Sequence, residues 1–153
     1  MVKFQLEEFS HVIEEITPLL HKHWIEIAHY QDINLEVDTE SYLHLENIGA
    51  LKVFTARDSG DNTLIGYSAF FIRSNMHYKS SLQAIQDVIY IDKERRGFGS
   101  QFIDWCDIQL KEMGVQVVYH HIKTKHNWGK MLEAKGYELV DLIYAKRLDK
   151  EIE

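Results

Sequence analysis

The stretch that most restricts the fold runs from Leu82 to Ile122. Leu82 to Ile91 has the length and branched composition of a buried strand, and a turn with two glycines, Gly97 and Gly99, follows it. From Gly97 to Met113 the residues Phe102, Ile103, Trp105, Cys106, Ile108 and Leu110 make a broad apolar helical face, which Gly114 stops. Val115 to Ile122 returns to strand. Strand–helix–strand in this order predicts a right-handed crossover joining two parallel strands.

The flanking segments extend that unit. Val2 to Leu6 alternates as a short strand, and Ser10 to Tyr30 carries Val12, Ile13, Ile16, Leu19, Leu20, Trp24 and Ile27 at helical spacing. Pro18, the only proline, is expected to start, kink or divide that helix. Asp38 suits the cap of a second helix that Gly49 ends. Leu51–Ala56 and Thr63–Arg73 read as an antiparallel ribbon across the turn Asp58–Asn62. After the crossover come a short helix, His126–Lys135, stopped by Gly136, and a final strand, Leu139–Leu148. The reading is α/β: one domain over 1–153, with a mixed sheet and helices on both faces.

Composition narrows the setting. With 153 residues, 45% hydrophobic and 27% charged, the chain can bury a core. Cys106 is the sole cysteine, so no disulfide framework is available. No apolar run nears the roughly 20 residues that span a bilayer, and the first residues lack a signal-peptide core. The expectation is a cytoplasmic protein with no membrane contact. Seventeen basic against 24 acidic residues give a net charge of −7, with no basic face of the kind that neutralises nucleic-acid phosphates. An acidic surface favours cations, amines among them.

Chemistry concentrates where the long strand meets the helix, at Asp92-Lys-Glu-Arg95-Arg96-Gly97-Phe98-Gly99-Ser100. Glycines let a ligand approach the backbone, and the first amides of a helix point outward with the positive end of its dipole. Arg95 and Arg96 add two full charges, so the turn suits a pyrophosphate; the plainer alternative is an ordinary tight strand–helix turn. A dinucleotide fingerprint fails because Phe102 stands where its third glycine belongs. A nucleoside-triphosphate loop fails because Met131 follows Gly129-Lys130.

Candidates for proton transfer lie on the two crossover strands. Alternation puts Gln83, Ile85, Asp87, Ile89 and Ile91 on one face, and Asp87 is the only charge in that row. Partial burial would raise its pKa; equally, it can be a structural partner of a lysine or an amide. On the next strand His120 and His121 point to opposite faces, so at most one faces a cleft between the strands. His21 and His23 stand about 200° apart on a helix and share no ion, so no metal site is expected. Cys106 reads as a buried structural thiol.

These elements and motifs together resemble the GNAT superfamily of acyl-CoA-dependent N-acyltransferases. Glu94-Arg-Arg-Gly97-Phe-Gly99 is similar to its Arg/Gln-x-x-Gly-x-Gly/Ala signature, and Asn127 to Gly136-Tyr137 is similar to its second motif. Val118–Ile122 and Gly136–Val140 resemble small bacteriophage-encoded members. The resemblance implies a central sheet of about six to seven strands flanked by about four helices. It implies acetyl-CoA, with no metal, held where two parallel strands splay apart. The pantetheine would lie along Ile89, Tyr90 and Ile91, the pyrophosphate on Arg95, Arg96, Gly97, Phe98, Gly99 and Ser100, and Asn127 beside it. Catalysis would be direct attack by a small-molecule or peptide amine, with Asp87 and one of His120 or His121 moving protons and His23, Trp24 and Glu26 flanking the acceptor. Two positions depart from the family pattern: Glu94 replaces the signature Arg/Gln, and Leu132 stands where many members carry a tyrosine acid. These departures leave a second reading, a catalytically weak module that binds CoA or a partner protein. A homodimer is left open.

Overall fold

The computed structural model describes residues 1–95 and 97–150. Five strands form one mixed sheet: β1 (Val2–Glu7), β2 (Leu51–Asp58), β3 (Leu64–Ser74), β4 (Leu82–Ile91) and β5 (Val117–Tyr119). They lie side by side in chain order, antiparallel from β1 to β4, with β5 parallel to β4. The helices are α1 (Phe9–Ile27), α2 (Thr39–Asn47), α3 (Gly99–Glu112) and α4 (Gly129–Ala134). The crossover from β4 through α3 to β5 therefore forms as the spacing predicts.

Each face of the sheet packs its own core. On one side Phe9, Val12, Ile16 and Leu19 of α1, spaced three and four apart, cover Val53, Tyr67, Ala69 and Tyr90. On the other, Phe102, Cys106 and Leu110 of α3 cover Phe54, Phe70, Ile72 and Ala84. Full burial of each large side chain contributes roughly 1.5–3 kcal/mol. Pro18 sits inside α1 and neither starts nor divides it. The helix begins instead on α2: the Glu46 carboxylate accepts the amides of Phe9 and Ser10, donors that a helix start cannot satisfy internally. Asp38 caps α2 by accepting the Ser41 amide at 3.1 Å.

One ionic group closes the sheet end. Arg57, 4% exposed, donates to Glu7 through Nε at 2.8 Å and to Glu15 through Nη1 at 2.8 Å and Nη2 at 2.9 Å. Burial works to raise the Glu7 pKa, but the hydrogen bonds from Arg57 and Thr55 outweigh it and lower the carboxyl to about 2.

Two expectations are corrected. The sheet has five strands, not six to seven, because Leu139–Leu148 makes no ladder. Its Leu139, Val140, Leu142, Ile143, Tyr144 and Leu148 are 64–90% exposed. A strand persists only where a neighbour takes its amides, and β5 is three residues long rather than reaching from Val115 to Ile122, an edge too short to template another. The tail is anchored at its end instead, where Arg147 Nη1 donates to Asp32 at 2.9 Å and the guanidinium lies over Tyr30. The second correction concerns β4 and shapes the site.

Candidate active site

Along β3 and β4 the pairing runs Ala69 with Val88, then Phe70 with Gln86, so Asp87 is an extra residue with no partner opposite. This is a β-bulge, which bends the strand and points two successive side chains the same way. Before it, alternation holds. After it, Val88 and Tyr90 face α1, while Ile89 and Ile91 pass to the α3 side. The expected row Gln83, Ile85, Asp87, Ile89, Ile91 thus breaks at Asp87, because a two-residue period cannot register an insertion. Gln83 itself is occupied structurally, accepting from Asn75 at 3.0 Å and donating to Ser81 at 3.1 Å.

The bulge sits where the parallel strands separate. Pairing between β4 and β5 covers only Gln83–Val117, Ala84–Val118 and Ile85–Tyr119. Past that point a cleft of about 570 Å³ opens, lined by Gln86, Asp87, Val88 and Ile89 of β4 and by His121, Lys123, His126 and Trp128 beyond β5. The end of α1 and the following loop close it with His23, Trp24, Tyr30 and Glu36; Glu26 does not line it.

Asp87 borders this cleft and keeps access to its solvent. The apolar surroundings raise its pKa above the ordinary carboxylate value, partly countered by Tyr42, whose hydroxyl donates to Oδ2 at 2.5 Å. Burial and the neighbouring carboxylate push the Tyr42 hydroxyl up in turn, so it stays protonated and a donor.

The two histidines lie just past β5 and part there. His121 lines the cleft. His120 turns inward, ringed by Phe70, Trp128 and Tyr137 at 5.2–5.7 Å between ring centroids. Its Nδ1 lies 2.7 Å from Gln86 Oε1, an oxygen that only accepts, so Nδ1 carries the proton, and buried Nε2 has no partner among the described residues. Burial, with a smaller contribution from His121, lowers its pKa to about 4.

Gly97 holds φ at +132°, a conformation side chains disfavour, and a Cβ there would meet open space. Gly99 fits closely: a Cβ would stand 3.0 Å from Ile91 Cδ1. Helix α3 starts after Phe98, and among the described residues no side chain caps it, so its first amides keep their outward donors. Phe98 points into the core, Ser100 is exposed, and Arg95 pairs with Asp58 at the end of β2. Arg96 lies outside the described residues. The Asn127 side chain accepts the Gly129 amide at 2.8 Å and so starts α4. Cys106 is buried beside Ser68, and burial pushes its thiol up to about 12.

No protein-family model and no curated protein sequence matches the chain. Solved structures do. A ribosomal-protein-alanine N-acetyltransferase from Brucella melitensis biovar Abortus superposes with a TM-score of 0.70 at 20% identity, over 97% of this chain and 99% of that one. Glucosamine-6-phosphate N-acetyltransferase from Arabidopsis thaliana gives 0.70 at 14% identity, over 97% and 99%. The chain has the fold of these acetyltransferases. A protein from Clostridium acetobutylicum described as a predicted acetyltransferase, whose structure holds acetyl-CoA, shares it too, with a TM-score of 0.68 at 14% identity over 97% of each chain.

Within this acetyltransferase fold, sequence reasoning missed three polar residues. Tyr42 meets Asp87 across 45 positions of chain, Gln86 fixes the tautomer of His120, and the Tyr67 hydroxyl is buried beside a second cleft. No local pattern marks any of them. Leu132, where the resemblance implies a tyrosine, is buried and contributes packing. Among the described residues no helix is long and apolar enough to cross a membrane, and no group of three His, Cys, Asp or Glu residues is arranged to hold a metal ion.

Proposed function

We propose that this chain, acting as one catalytic unit, transfers an acetyl group from acetyl-CoA to a primary amine. The observation that carries the reading is Asp87: a bulge sets it at the mouth of the gap between β4 and β5, and its surroundings raise its pKa. The residues present fit the acyl donor. Uncapped amides at the start of α3, the open space over Gly97 and the charge of Arg95 suit a diphosphate, and the separated strands leave a channel for an extended arm. Asp58 holds Arg95 at that turn and offsets part of its charge. Arg96 completes the cluster by sequence. Acetyl-CoA supplies an acetyl group already activated as a thioester.

The chain's own part is positioning and proton transfer. An incoming amine arrives protonated and must lose a proton before its lone pair attacks the acetyl carbonyl. Asp87 takes that proton onto its carboxylate, and the Tyr42 hydroxyl steadies the carboxylate between transfers. His121, on the opposite wall of the same cleft, is the second candidate for moving protons. His120 acts through position, since its ring is enclosed and its pKa is low. The carbon–nitrogen bond forms as the carbon–sulfur bond breaks, the second proton of the nitrogen passes to the departing sulfur, and the free thiol leaves toward the cleft opening.

Two measurements test this. Titration calorimetry should show acetyl-CoA binding that Arg95→Glu with Arg96→Glu weakens at least tenfold; unchanged affinity removes the phosphate assignment. Thiol release over a panel of amines should fall about 10²–10⁴-fold in Asp87→Asn with acetyl-CoA affinity kept. One observation favours a second reading. Leu132 is buried apolar surface where a proton donor is expected, as suits a module that binds CoA without turnover. Tight CoA binding with no thiol release for any amine selects that reading.

A further inference from the structure

A second cleft, of about 430 Å³, enters the sheet face beneath α1 and α2. Leu20, Leu35, Glu36, Asp87 and Val88 line both clefts, so they meet at the proposed base. The volume falls in the roughly 300–1,000 Å³ range of small-molecule sites. Its walls are apolar, chiefly Phe9, Ile13, Ile16, Val53, Ala69 and Val88, and the charged residues lining it are all acidic: Glu36, Asp38 and Asp87. Such a lining favours a cation and offers nothing to a phosphate.

One polar group in it is unexplained by the fold. Tyr67 is 1% exposed, and among the described residues its hydroxyl has no hydrogen-bond partner. A buried unsatisfied hydroxyl destabilises a fold, whereas phenylalanine would fill the same volume without that cost. Burial, and after it the neighbouring Tyr90, Asp87 and Tyr42, raise the Tyr67 pKa, so the hydroxyl keeps its proton and remains a donor. An occupant carrying an oxygen would satisfy it.

We propose that this second cleft holds the body of the acceptor: a singly charged primary amine on a compact aromatic or alkyl skeleton, bearing one oxygen that accepts from the Tyr67 hydroxyl. The ammonium end stands at Asp87, where the clefts join, and the apolar body lies against α1. A sugar amine or aminoglycoside would bury several hydroxyls or charges against walls that cannot pair them. The assignment rests on the acetyl-transfer reading for its purpose, but binding can be measured without acetyl-CoA.

The experiment is calorimetric titration of the full chain with tyramine, phenethylamine, glucosamine and kanamycin. Tyramine should bind, phenethylamine about 2–10-fold more weakly, and the two sugars not measurably. Tyr67→Phe should erase the difference between the aromatic amines without lowering thermal stability. Ile13→Trp, which fills the cleft from its rim, should weaken both at least tenfold. Failure of both aromatic amines to bind, binding indifferent to Ile13→Trp, or glucosamine binding as tightly as tyramine overturns the proposal. Equal affinity of tyramine and phenethylamine for the unaltered protein removes the role of Tyr67. A bound aromatic amine that acetyl-CoA never acetylates refutes the transfer reaction and leaves the pocket standing. Acetylation of the sugars alone does the reverse.

Discussion

Replacing Tyr42 by phenylalanine isolates the contact on which the proposed proton transfer depends. The hydroxyl donates to Asp87 Oδ2 at 2.5 Å, and removing it leaves the ring packed on Phe9 and Phe71. A hydrogen bond to an ionised carboxylate contributes about 1.5–3 kcal/mol. Asp87 is open to solvent in the cleft, so screening sets the effect near the lower bound, roughly 1.4 kcal/mol, equivalent to about one pH unit. The sign follows from the causes. Burial already raises the Asp87 pKa and the Tyr42 bond pulls it down, so losing the bond moves it further up. The base is active when ionised, and the acid limb of kcat/KM should therefore move about one unit toward higher pH. The assay is thiol release from acetyl-CoA with a fixed amine across the pH range, with acetyl-CoA affinity measured alongside. An acid limb unmoved in Tyr42→Phe, or one that survives in Asp87→Asn, refutes Asp87 as the proton acceptor.

Other predictions concern the scaffold. Arg57→Met should destabilise the fold by about 3 kcal/mol in a denaturant titration, because Glu7 and Glu15 lose the guanidinium between them; the lower bound of the usual 3–5 applies since Glu15 is half exposed. Acid should unfold the protein in two stages. His120 drops from 6.5 unfolded to about 4 folded, so its contribution is complete above pH 6.5 and is lost as pH falls through about 4, up to about 3 kcal/mol. Glu7 drops from 4.5 to about 2, so its contribution is complete above pH 4.5 and is lost as pH falls toward 2, about 2 kcal/mol after screening. His120→Phe should flatten the stability curve between about pH 4 and 6.5 and leave the lower stage in place; an unchanged upper stage contradicts the burial argument.

Much of the fold was legible because its signals are local. The apolar stripe of α1, the cap at Asp38 and the glycine-bearing turn between β4 and α3 each lie within a few residues, and the β4–α3–β5 crossover follows from them. Pro18 misled because tertiary packing of Val12, Ile16 and Leu19 holds α1 together across a missing amide. Leu139–Leu148 misled because alternation reports a capacity to pair, not the presence of a neighbour. In the site, Asp87 was reachable as the only charge in its row, while the carboxylate's partner was not: contact between residues 42 and 87 arises only when α2 is laid over the sheet. The insertion that aims Asp87 leaves no mark on a pattern of twos.

That insertion has a consequence for how β4 tolerates change. Substituting residue 87 alters one side chain, whereas deleting it would make the pairing of Ala69 with Val88 and of Phe70 with Gln86 continuous and turn β4 into a strand of strict alternation. Val88 and Tyr90 would stay beneath α1, and Ile89 and Ile91 beneath α3, so both hydrophobic layers would keep their residues. The extra residue is therefore dispensable to the scaffold, and a shortened β4 should still fold while losing the bend and the carboxylate at the cleft mouth.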